Sequence, residues 1–164
     1  MTTCYPDTMK VKRDIQRRIE DYVIKYCETL EENFKQYSID SYKRNIDNPS
    51  SITEGYKSYY QEQLEKIEDG TANLYKFVYK TGKKFHKVYF LQYEEANDYY
   101  NRKAGYTAGS VHCFVDKKTG EVYKPASWKA PAKIVRFDLR IIKEREFLLN
   151  PKNCDWAGGH LYMR

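Results

Sequence analysis

The chain of 164 residues has little of what usually reveals chemistry, and each shortage excludes something. Its four cysteines, Cys4, Cys27, Cys113 and Cys154, lie far apart and form no C-x-x-C pair, which excludes the common zinc-finger spacing and a thioredoxin-like redox motif. Reduced, mostly buried thiols are expected instead. Only three histidines occur, His86, His112 and His160, and each is isolated. No stretch has the residue types and spacing of a known catalytic or metal-binding motif, so no cofactor and no metal are implied. No apolar run approaches the length of a membrane span, and the N-terminal MTTCYPDTMK lacks the apolar core of a signal peptide. The expectation is a cytoplasmic protein that uses no membrane. Internal repeats and low-complexity runs are also missing.

What the sequence does have is aromatic residues and unevenly placed charge. Seventeen tyrosines and seven phenylalanines exceed what a core of one domain requires, and tyrosine-rich surfaces commonly bind partners. The net charge of +6 is not spread evenly. Residues 1–69 hold 11 Lys/Arg against 14 Asp/Glu, a balance of −3, whereas residues 70–145 hold 16 against 7, a balance of +9. The positive field therefore belongs to the middle of the sequence.

The first segment predicts one long helix from about Thr8 to about Ile46. Val11, Ile15, Ile19, Val23, Tyr26, Leu30, Phe34 and Tyr37 recur at spacings of three and four and form one apolar stripe. Arg13, Arg17 and Arg18 lie on the polar face, where solvation with local pairs such as Asp14 to Arg18 is the commoner use. Asn48-Pro49-Ser50-Ser51 breaks the pattern, and a capping box, Ser51-x-x-Glu54, starts a second helix that runs through Tyr56, Tyr59, Tyr60, Leu64 and Ile67 to Gly70. The short linker predicts an antiparallel helix pair, with those tyrosines and Tyr37 in its core.

From Leu74 to Tyr93 the period changes from helical to alternating. The segment reads as a hairpin with its loop at Lys80–Lys84 around Gly82. Large apolar groups fall on both faces, which predicts helices over one side and aromatics left on the other. Residues 94–109 then form a polar, glycine-bearing connection, and Arg102, Lys103 and Tyr106 make it a second candidate contact. A second hairpin comes next. Val111, Cys113 and Val115 alternate with His112, Phe114 and Asp116, then Lys117-Lys118-Thr119-Gly120 supplies the turn, with Asp116 placed to bond its backbone and Gly120 free to take positive φ. The return strand, Glu121 to Lys124, ends at Pro125, and Pro131 keeps the segment around it extended. Ile134 to Ile142 alternates as a fifth strand. Trp156, Leu161 and Tyr162 in the tail need burial, so the tail is expected to wrap back.

In a regular strand His112 faces away from Cys113, so a nucleophilic Cys113–His pair requires a partner brought in by the fold. Asp116, Glu121, His112 and Asp138 are the remaining scattered groups with catalytic chemistry. Nothing in their spacing demands that they converge.

The segment SVHCFVDKKTGEVYKPASWKAPAK (Ser110 to Lys133), together with the DWAGGHLY run (Asp155 to Tyr162), resembles a group of small accessory proteins of tailed bacteriophages whose function is unassigned. The resemblance covers roughly the last third of the sequence. It implies a setting, the cytoplasm of an infected bacterium with virion association open, and it implies no catalytic residues.

Together these readings predict an α+β domain in which two N-terminal helices (residues 1–70) pack on an antiparallel sheet of about five strands (71–145), with a tail (146–164) packed back. Tyr123, Lys124, Trp128, Lys129, Lys133 and Arg136 form the leading candidate surface, a basic and aromatic one suited to nucleic acid, preferentially single-stranded. Arg102 and Lys103 are the second. An acidic host protein bound by the same surface, as an inhibitor or anti-defence factor, is the alternative; a minor virion protein is the next, and an enzyme the last. The oligomeric state is open.

Overall fold

The apolar spacing of the first segment does form one continuous helix, α1 (Thr8–Asp47), in the computed structural model, which describes residues 8–48 and 54–162. At 1.5 Å per residue its 40 residues reach about 60 Å, much longer than the sheet it covers. Only the middle of the stripe is therefore buried: Ile19, Val23, Tyr26, Cys27 and Leu30 are in the core, while Val11, Ile15 and Tyr37 remain exposed. The second helix, α2 (Glu54–Asp69), ends where expected, at Gly70 with φ 81°. The capping box at Ser51 lies outside the described residues. α2 packs chiefly against α1, burying Ile67 and setting Tyr60 beside Tyr42 with ring centroids 5.7 Å apart. Tyr56 and Tyr59 are not in the helix-pair core as the stripe predicts; they stand 60% and 50% exposed.

The five strands are β1 (Lys76–Thr81), β2 (Phe85–Glu94), β3 (Gly105–Asp116), β4 (Glu121–Pro125) and β5 (Pro131–Asp138). They form one antiparallel meander in sequence order, so the α+β expectation holds. The β3–β4 turn uses the predicted chemistry: the Asp116 carboxylate accepts from the amides of Lys118 and Thr119 at 2.8 and 3.0 Å, and Gly120 has φ 75°. The polar connection is shorter than predicted. β2 runs to Glu94 and β3 starts at Gly105, leaving 95–104 as a loop closed by an Asn97–Arg102 bridge.

The fifth strand also stops earlier than its alternation suggests. Leu139 turns into the core beside Gly120, the Asp138 carboxylate takes the Arg140 amide, and the backbone enters a short helix, α3 (Ile142–Leu148). Ile141 and Ile142, read as strand, are exposed at its start. The tail does return. Asn33 on α1 holds it with three hydrogen bonds, its amide donating to the carbonyls of Pro151 and Cys154 and its oxygen accepting from the Trp156 amide. Leu161 is fully buried, whereas Tyr162 is exposed.

One face of the sheet meets α1. Phe77, Val88, Cys113, Val115, Val122 and Phe137 form the core there with the helix stripe. Beside it, Phe34, Tyr75 and Phe90 stack in sequence at centroid spacings of 4.3 and 4.7 Å. The Phe90 ring occupies the space where a Cβ on Gly109 would be, so the glycine is what admits the stack.

Candidate nucleic-acid interface

Among the described residues, the opposite face of the sheet carries no helix. Tyr79 reaches α1, its hydroxyl donating to Glu20 at 2.8 Å, so the alternation of β1 turns Lys76, Val78 and Lys80 outward. Their partners in β2 are Leu91, Tyr89 and Lys87. A transverse row therefore runs Lys80, Lys87, Phe114, Tyr123, Val135 across all five strands. Two lysines stand directly opposite each other in this row, an arrangement that destabilises an antiparallel pair.

The β4–β5 turn completes the surface. Ser127 accepts from the amides of Lys129 and Ala130 at 3.2 Å, which closes the turn and lays Trp128 back over β2. There the Lys87 ammonium donates to the Trp128 carbonyl at 2.9 Å and sits 4.6 Å from the centre of its ring, while Tyr89 meets the ring edge-on at 5.5 Å. Trp128 is nevertheless 44% exposed. Lys84, Lys117 and Lys118 crowd the adjoining end, because the Lys117 amide bonds the Lys84 carbonyl and joins the β1–β2 and β3–β4 turns. Acids on this face are already engaged: Glu121 accepts from the Tyr123 hydroxyl at 2.6 Å, and Asp138 is paired with Arg140 at 3.1 Å.

Residues 3–163 match the family of unknown function DUF7717. The chain belongs to DUF7717. No curated protein and no solved structure matches it.

In this DUF7717 member the predicted site residues divide. Trp128, Lys129 and Lys133 are exposed, and Tyr123 is half-buried on the outer face. Hydrogen bonding to Glu121, then burial, pushes the Tyr123 phenol up to about 12, so it is a neutral ring wall. Lys124 turns to the other side of the sheet, its ammonium 4.5 Å from the ring centre of Tyr162. Arg136 is buried, only 9% exposed, because a bulge in β5 sets it between the pairs Val122–Phe137 and Tyr123–Val135. It is removed from the contact surface. Arg102 is paired with Glu94 at 3.1 Å in the β2–β3 loop, at the opposite end of those strands from the lysine-bearing turns, and Lys103 lies there with it. The sequence reading missed Lys80, Lys84 and Lys87 as a group. Once Gly82 fixes the hairpin, the pairing of Lys80 with Lys87 follows by counting outward.

The isolated histidines of this DUF7717 protein are not isolated in space. The Tyr26 hydroxyl lies 2.8 Å from His112 Nε2 and 2.7 Å from His160 Nε2, in the core. Backbone groups fix the tautomers. The Asp155 amide donates to His160 Nδ1 at 3.0 Å, so the proton of that ring is on Nε2 and is given to Tyr26. His112 Nδ1–H donates to the Trp156 carbonyl at 3.2 Å, leaving His112 Nε2 to accept from Tyr26. The series of bonds starts at a backbone amide and ends at a backbone carbonyl with every member satisfied. Burial holds both imidazoles neutral, pulling His112 down to about 3 and His160 down to about 4. This is a clasp between α1, β3 and the tail.

His112 also corrects a sequence expectation. A register shift between Val88 and Tyr89 makes β3 bulge, so His112 and Cys113 are both buried and do not alternate. Burial raises the Cys113 thiol well above its usual range, the opposite of what a nucleophile needs. Cys27, Cys113 and Cys154 are free and buried, as expected; Cys4 is outside the described residues. Glu121 and Asp138 are register partners in β4 and β5, with Asp116 at the adjoining turn, but His112 is in the clasp, Asp116 is spent on the turn and Asp138 is paired with Arg140, so the four do not converge. Among the described residues no group of three metal-ligating side chains is gathered at one point, and no helix is long and apolar enough to cross a membrane.

Proposed function

We propose that this protein binds single-stranded nucleic acid on the helix-free face of its sheet, without catalysing a reaction. The observation that carries the proposal is the Lys80–Lys87 pair, held opposite each other beside the half-open ring of Trp128. Like charges opposed across strands cost stability unless something anionic is shared between them, and a ring with an open face beside them offers stacking to a base. Phosphates are neutralised by Lys80, Lys84, Lys87, Lys129 and Lys133, and a base stacks on Trp128. The resemblance of Ser110–Lys133 and Asp155–Tyr162 to tailed-phage accessory proteins supports an infected bacterial cell as the setting.

The test is fluorescence anisotropy with a labelled dT20 strand and a duplex of equal length, at two salt concentrations. The expected result is salt-sensitive binding that favours the single strand. Trp128→Ala lowers affinity about tenfold, since a stacked base contributes roughly 1–3 kcal/mol. Replacing Lys80 and Lys87 together by Ala lowers the slope of log K against log salt by about 1.4. No binding at low salt rejects the proposal.

A second reading, attachment to a host protein, is favoured by the exposure of Tyr56 and Tyr59 on α2, away from the sheet. Pull-down from nuclease-treated host lysate separates the two. One stoichiometric host band lost in Tyr56→Ala/Tyr59→Ala supports it.

A further inference from the structure

β3 is twelve residues long, but it pairs with β4 only at Phe114 and Val115. β4 ends in Pro125, which has no N–H to donate, and the backbone turns away through Ala126–Ala130. Among the described residues no strand therefore lies beside Gly105–Val111 on that side. Elsewhere the sheet closes its edges with carboxylates. Glu31 of α1 accepts from the Phe77 amide at the β1 edge, and Glu144 accepts from the Asp138 amide at the β5 edge. Among the described residues the open stretch of β3 has no such guard, and it is made of small or uncharged residues, the kind of edge natural sheets usually protect.

The open edge leads into a cleft of about 450 Å³, bounded by Gly109, Ser110 and Val111 on one side, the Ala126 end of the β4–β5 turn on the other, and the rings of Trp128 and Tyr162. Lys124 has its ammonium at the Tyr162 ring. The volume falls within the range of about 300–1,000 Å³ usual for small-ligand sites. Backbone donors and acceptors and aromatic rings are what an unpaired nucleotide needs for its base edge and its base face. A duplex cannot offer the cleft a Watson–Crick edge, because those edges are already paired. An added peptide strand fits less well. Register shifts in the β2–β3 ladder between Val88 and Leu91 leave β3 bulged opposite them, and a strand partner requires evenly spaced groups over several residues, whereas one base requires two or three.

We propose that this cleft takes one unpaired base of the bound strand and reads its Watson–Crick edge with backbone groups of Gly109–Val111. The inference rests on the single-strand reading above and adds a site to it. Two-dimensional ¹⁵N NMR of the whole protein tests it, titrated with dT8, dC8 and dA8 and with an abasic eight-mer of the same phosphate number. The expected result is that resonances of Gly109–Val111 move with at least one of the three base-bearing strands and stay in place with the abasic one. Ala126→Phe, which fills the cleft from an exposed turn, removes those shifts and lowers affinity about tenfold. Tyr162→Ala, also at an exposed position, lowers it by a smaller factor. If dT8, dC8 and dA8 all bind with salt-sensitive affinity and Gly109–Val111 do not respond, the cleft assignment is overturned, the wider reading stands, and the open edge is left to an extended peptide. If no strand binds at all, both are overturned.

Discussion

The two faces of the sheet are written in alternate residues of the same five strands, yet they follow opposite rules. On the face toward α1, apolar side chains interlock and the buried Tyr26, His112 and His160 satisfy one another completely. On the other face lysine opposes lysine and a tryptophan is left half in water. Lys87 is held by the carbonyl and ring of Trp128, whereas Lys80 faces it across the strands, and the proposed binding would draw on that pair.

The contrast predicts large stability effects on the inner face and small ones of opposite sign on the outer. Acid is the largest. Both clasp histidines have folded-state values depressed below the ordinary 6.5, to about 3 and about 4, so their contribution is fully present above about pH 6.5 and is lost as pH falls toward those values. Asp155 opposes this shift at His160 but is outweighed by burial. His86, also depressed by burial, acts in the same direction. Between pH 7 and pH 5 each clasp histidine should remove on the order of 2 kcal/mol, read from urea melts across that range. Tyr26→Phe comes next. It leaves two buried imidazole nitrogens without their partner, costs about 2–4 kcal/mol, and should shift the urea midpoint without changing its slope. Gly109→Ala drives a methyl into the Phe90 ring, 2.0 Å from one of its carbons, and should cost about 1–3 kcal/mol, seen as a lower Tm and altered near-ultraviolet dichroism from the Tyr75–Phe90 stack. The smallest effect sharpens the comparison most. Lys80→Ala relieves the repulsion with Lys87 and should raise stability by about 0.2–1 kcal/mol while weakening binding of dT20. Equal or lower stability for that variant breaks the contrast between the faces.

Much of the architecture was legible because it depends on local pattern. The stripe from Ile19 to Leu30, the turn made by Asp116 and Gly120, and the stop at Gly70 each follow from neighbours in sequence. What was not legible depends on pairing between strands. The bulge that turns His112 inward and the one that buries Arg136 come from the fit of one strand against another, and alternation read along a single strand misses both. The α3 helix was hidden because Leu139 and Ile141 keep the strand period right up to the residue where Asp138 closes a turn. On the candidate surface, Trp128 and its neighbouring lysines were visible as composition. Their company with Lys80 and Lys87 needed the register of the first hairpin.

The clasp also ties completion of the core to residues made long after α1. Tyr26 and His160 are 134 positions apart, so at roughly 5–20 residues per second a nascent polypeptide holds Tyr26 without His160 for on the order of ten seconds. A fragment that ends before His112 retains α1 with neither partner for the Tyr26 hydroxyl, and one that ends between His112 and His160 retains only one of the two. Such fragments should open readily to proteases, while a polypeptide that carries both histidines is spared.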